Sequence, residues 1–173
     1  MKILTLILLS IVTAFSVKCQ VGVGKNYDCV QVGNQTPNQR LLKYPFNKAY
    51  KIQILSFSSE TLNLPLVNGS LDWNNVKDSI TLSRNQIDSL TNLFFNFGCT
   101  ANKIVKSISA AVAVNIAIVF IGASNELIDY IDICFDCGEI DLFLSKGNKI
   151  IGVPCNQRLD RLKQFSQAWG LQL

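Results

Sequence analysis

At 173 residues the chain is long enough for one domain with a sizeable core and too short for two comfortable ones. Hydrophobic residues make up 49% and charged residues only 16%, a balance that excludes disorder by composition and demands extensive burial. The formal charge of +4 is scattered, with no stretch that gathers Lys and Arg on one face, so neither a nucleic-acid nor a membrane-surface partner is expected.

The first residues read as an export signal. Lys2 forms a short positive region, Ile3 to Val12 an almost unbroken apolar one, and Ala14 and Ser16 stand at the −3 and −1 positions of a cleavage site. Residues 1–16 are therefore expected to be a signal peptide, with an alternative end at Cys19. An uncleaved anchor would need about 20 apolar residues, more than this run supplies. Lipidation at Cys19 would require a small residue before it, where the chain has Lys18. The cut decides how many cysteines the mature chain keeps: six after Ser16, five after Cys19. The destination is secreted, or the periplasm and cell envelope. Ser107 to Ile121, the most apolar internal run, holds Asn115 and is too short to span a bilayer, so no transmembrane span is expected in the mature chain.

Between Gln20 and Pro45, Gly22, Gly24, Gly33 and Pro37 break any periodicity, which predicts a loop or flexible arm over residues 17–45 and a single domain over 46–173. Tyr50, Ile52 and Ile54 alternate with Lys51 and Gln53 in the period of a half-buried strand. Ser58 to Asn75, with Pro65 and the Asn68-Gly69 pair, reads as a long connection, and Ile80 with Leu82 as a short strand. Ser83 followed by Gln86 makes a capping box. Ile87, Leu90, Leu93, Phe94 and Phe97 then fall on one face, predicting a helix over Arg84 to Phe97 with Gly98 as its left-handed cap.

Asn115 to Ile121 and Leu127 to Phe135 are apolar, β-branched runs separated by the turn cluster Gly122 to Asn125. That pattern predicts a hairpin of central strands covered on both faces, with a helix across them. A short strand is expected over Lys149 to Val153. A helix is expected over Asn156 to Trp169, its apolar stripe carried by Leu159, Leu162, Phe165, Ala168 and Trp169, with Gly170 beyond it. The fold class is α+β: a small antiparallel sheet with a central β-hairpin packed by two helices.

Six cysteines, at 19, 29, 99, 134, 137 and 155, are read first as disulfides, because export leads to an oxidising compartment. Cys134, Cys137, Cys155 and Cys99 are the candidate disulfide or thiol site. Cys134-Phe135-Asp136-Cys137 invites a redox reading, but Asp132, Asp136, Glu139 and Asp141 surround the pair and oppose a thiolate. The same four cysteines have the thiol count of a tetrahedral zinc site, yet the second Cys-x-x-Cys or His pair of a strong zinc signal is missing, so no metal and no cofactor is expected.

The chain has no histidine, which removes Ser-His-Asp and Cys-His chemistry. Paired carboxylates drawn from Glu126, Asp129, Asp132 and Glu139 are the remaining catalytic option, and no catalytic residue is assigned. Asn34-Gln35-Thr36 and Asn68-Gly69-Ser70 match the glycosylation sequon, which bears only on a eukaryotic host.

The stretch from Asn115 through Cys137, with Tyr130-Ile131-Asp132-Ile133 leading into Cys134-Phe135-Asp136-Cys137, resembles uncharacterised exported bacterial proteins whose hairpin ends in Cys-Phe-acidic-Cys. In those proteins an upstream cysteine precedes an aromatic, Pro and Arg; here Thr100, Ala101 and Asn102 follow Cys99. The resemblance implies that the hairpin and its cysteines are the core, and it lends no activity. The expected function is a non-enzymatic exported binding or envelope-associated module, the alternative a thiol-dependent protein using Cys134 and Cys137.

Overall fold

The computed structural model describes residues 29–61, 66–67, 70–99, 114–135, 139–141 and 156–173. The segment expected to be a signal peptide, the strand expected over Lys149 to Val153, Cys137 and Cys155 lie outside the described residues. The fold is α+β. A five-stranded antiparallel sheet runs in the order β5(Val76–Thr81), β2(Lys51–Thr61), β7(Val114–Ile121), β8(Leu127–Cys134), β9(Glu139–Asp141). Two small antiparallel ribbons pair β1(Cys29–Gln31) with β6(Phe97–Cys99), and β3(Leu66–Val67) with β4(Ser70–Leu71). The helices are α1(Pro37–Leu41), α2(Arg84–Phe95) and α3(Asn156–Ala168).

The central hairpin β7–β8 forms as its apolar pattern predicts, and register explains why nearly every position in it is hydrophobic. Ile54, Ile118 and Ile131 lie in one row across β2, β7 and β8, and Ile52 pairs with Phe120. These face Leu90, Leu93 and Phe94 of α2 and Leu159 and Leu162 of α3. The alternate positions, Leu55, Ala117, Val119 and Ile121, form a second buried cluster on the opposite face with Phe57, Leu71, Val76 and Tyr130 around it. A strand covered on both sides cannot alternate with polar residues. Each fully buried Ile in it stabilises the fold by about 1.5–3 kcal/mol.

Both long helices end and begin on local chemistry. Ser83 Oγ accepts from the Gln86 N–H and the Gln86 side chain accepts from the Ser83 N–H, completing the capping box expected of α2. At the end of α3, Gly170 takes φ +99°, its N–H donating to Gln167 O and that of Leu171 to Ser166 O, a Schellman closure that folds Leu171 back into the core.

Three segments depart from the sequence reading. Within the arm expected over 17–45, the described residues from 29 onward hold β1 and a capped helix α1. Thr36 and Gln39 cap α1 reciprocally around Pro37, and Arg40 is buried at its end. Asn96 secures the arm: its side chain accepts from the Gln35 N–H and donates to Gln35 O, while its carbonyl accepts from the Val32 N–H. Helix α2 stops two residues early, with Asn96 as C-cap, because Gly98 is drawn into β6 opposite Val30. The long connection expected over Ser58 to Asn75 contains the end of β2, the β3–β4 ribbon and a 3-10 turn over Trp73–Asn75.

Candidate functional site

Cys134 closes β8, 3% exposed, and is disulfide-bonded. Its register partner across the β8–β9 pairing is Glu139, with Asp132 opposite Asp141 two steps further along. The Cys-x-x-Cys therefore begins at the end of β8, and its residues after Phe135 lie outside the described residues. An attacking thiol gains its acidity from a helix N-terminus or a cationic neighbour. Here the strand places Glu139 directly across from Cys134, and Asp132 is buried on the same strand. The cation brought to this rim is Lys163 of α3, its Nζ 5.5 Å from the Phe135 ring centre.

Of the other candidate cysteines, Cys99 ends β6 and lies opposite Cys29 of β1. Nothing in the sequence pattern singles out Cys29, because pairing over that distance is decided by strand register. Cys137 and Cys155 fall outside the described residues, Cys155 immediately before α3. The first half of α3 packs toward the strand ends that carry cysteines: Arg158 Nη2 donates to Phe97 O, and the Arg161 guanidinium lies 4.9 Å from the Phe97 ring centre.

The four carboxylates considered for acid–base work do not converge. Asp129 pairs with Phe120 and Asp132 with Ala117, an odd separation along β8 that puts them on opposite faces. Glu126 sits at the β7–β8 turn and Glu139 beyond the other end of β8. Asp129, 1% exposed, accepts from the Tyr44 hydroxyl at 2.8 Å and from the Tyr130 N–H at 2.9 Å. These bonds satisfy a buried carboxylate and give it a structural task. On the other face, burial first and then the charges of Asp132 and Asp129 push the Tyr130 phenol above its ordinary value of 10.

Sequence reasoning missed Arg40, Tyr44 and Asn96. Arg40 Nε donates to Thr91 Oγ1 at 3.2 Å, and its guanidinium also reaches Asp88 and Gln35 O. The Thr36…Gln39 spacing with Pro37 was a readable signal for α1; the distant partners, Asp88 and Thr91 for Arg40 and Gln35 for Asn96, were not readable, being 48 to 61 residues away.

Among the described residues no group of three or more His, Cys, Asp or Glu side chains could hold a metal ion, and no helix is long and apolar enough to cross a membrane. Comparison with family models, with curated proteins and with solved structures finds no match for this chain.

Proposed function

We propose that this chain is an exported α+β module held by cystines, acting in the cell envelope or outside the cell by binding a partner rather than by catalysis. Export is supported by Lys2, the apolar run Ile3 to Val12 and the small residues Ala14 and Ser16. The observation that carries the non-catalytic reading is the state of Cys134: buried, disulfide-bonded, at a strand end and opposite Glu139. A thiol that attacks as a nucleophile is favoured by solvent access and a positive field. The separation of Asp129 and Asp132 onto opposite faces supports the same reading for the carboxylates.

The test is the intact mass of the full chain recovered from the cells that make it, before and after reduction and thiol alkylation, with metal analysis on the same sample. The expected mass begins at residue 17 or residue 20, alkylation without reduction adds nothing beyond a single odd thiol for the shorter form, and reduction opens the bridges. Reactive thiols at Cys134 and Cys137, or stoichiometric zinc, would overturn the reading in favour of a thiol-dependent protein. A chain that retains residues 1–16 would remove the export half of it.

A further inference from the structure

We infer that Cys29 and Cys99 form a disulfide that locks the N-terminal arm to the exit of α2. Cys29 pairs with Cys99, Val30 with Gly98 and Gln31 with Phe97. One step further, the Val32 N–H donates to the carbonyl of its opposite residue, Asn96, at 2.8 Å, while the Asn96 N–H turns back to Asn92 O, so this single bond marks a hydrogen-bonded site at the end of the ribbon. Antiparallel pairs alternate between hydrogen-bonded and non-hydrogen-bonded sites. Three steps back, Cys29 and Cys99 therefore occupy a non-hydrogen-bonded site.

The distinction matters because Cα atoms at such sites are about 4.5 Å apart, with side chains closer than at the alternate sites. Cystines span Cα separations of about 4.4–6.8 Å. The site thus meets the backbone requirement for a cross-strand bridge without movement of either strand. The bridge also answers a question of stability. β1 and β6 are three residues each and form a two-stranded ribbon, which by itself is marginal in water.

The inference rests on the export reading, since it needs an oxidising compartment. One deprotonated thiol of the pair attacks a disulfide-bearing oxidant, forming a mixed disulfide and releasing one oxidant thiol. The second thiolate then displaces the other, so the oxidant's S–S bond is reduced to two thiols, which take up the two protons, as the Cys29–Cys99 bond forms.

The experiment is peptide mapping of the full chain without reduction, on protein from the producing cells and on protein reduced and then reoxidised in a glutathione redox buffer. Trypsin cuts at Lys25 and Arg40 around Cys29, and at Arg84 and Lys103 around Cys99. The expected product is peptide 26–40 joined to peptide 85–103, separating on reduction. In Cys29→Ser, one additional thiol reacts with alkylating reagent, and it maps to Cys99; Cys99→Ser frees Cys29 in the same way. Both cysteines alkylated after reoxidation, or Cys29 joined to any other cysteine, would overturn the pairing. A bridge that forms in the redox buffer but is absent from cells upholds the pairing and removes the export reading instead.

Discussion

The Tyr44 hydroxyl reaches Oδ2 of Asp129 at 2.8 Å, joining the segment after α1 to the middle of the central hairpin. Asp129 is almost wholly buried, so this bond helps to satisfy its charge away from water. Tyr44→Phe is expected to cost about 1.5–3 kcal/mol, the range for a hydrogen bond to a charged group. Asp129→Ala is expected to cost more, because it also frees the Tyr130 N–H. Urea unfolding of both single variants and the double variant checks this. Coupling below about 0.5 kcal/mol between the two positions would show that they act independently.

Arg40 and Asp88 are an asymmetric pair. The Arg40 side chain is 5% exposed and that of Asp88 48%, so the cation depends on its protein partners and the carboxylate is partly served by solvent. Asp88→Asn is expected to cost at most about 1 kcal/mol. Arg40→Met removes three interactions at once, leaving Gln35 O to its bond from Asn96 and Thr91 Oγ1 to its bond with Asp88 O, with an expected loss of about 2–4 kcal/mol. The midpoint of urea unfolding for the two variants, at matched m-value, is the measurement; equal losses would contradict the asymmetry.

Gly98 is needed for close approach. A Cβ placed there would stand 3.0 Å from Cγ2 and 3.1 Å from Cγ1 of Val32, whose branched side chain has few rotamers to offer. Gly98→Ala is expected to destabilise by about 1 kcal/mol or more. Val32 is exposed, so shortening it removes no core contact, and Val32→Ala is expected to restore most of the loss in the double variant. Thermal unfolding of the two single variants and the double variant decides it.

The raised Tyr130 phenol predicts a component of alkaline destabilisation. The unfolded chain gives up this proton near pH 10 while the folded chain still holds it. The contribution is therefore fully present below pH 10 and is lost as pH rises through the higher folded value. Tyr130→Phe is expected to flatten the fall of the melting temperature between about pH 9.5 and 11. Phenolate absorbance of the folded protein should show one delayed tyrosine in the parent that Tyr130→Phe lacks.

The hairpin β7–β8, helix α2 and helix α3 were legible because their signals are local. Continuous β-branched runs, Ser83 with Gln86, and the glycine after Trp169 each act within a few residues of themselves. Strand β9 was not legible: Glu139-Ile140-Asp141 carries one apolar residue between two charges, and it becomes a strand through pairing with Cys134, Ile133 and Asp132. Gly98 was misread for the same reason, since pairing with Val30 outweighs its preference for a helix cap.

What the sequence by itself determined was the α+β class, the identity of the central strands and the two long helices, because burial pattern and capping are written in neighbouring residues. What only the tertiary structure decided was which residues meet. Register sets Cys29 opposite Cys99 and puts Glu139 across from Cys134. Pairing between distant strands is fixed by the summed burial of both sheet faces, and a slip of one residue would reverse every one of these positions.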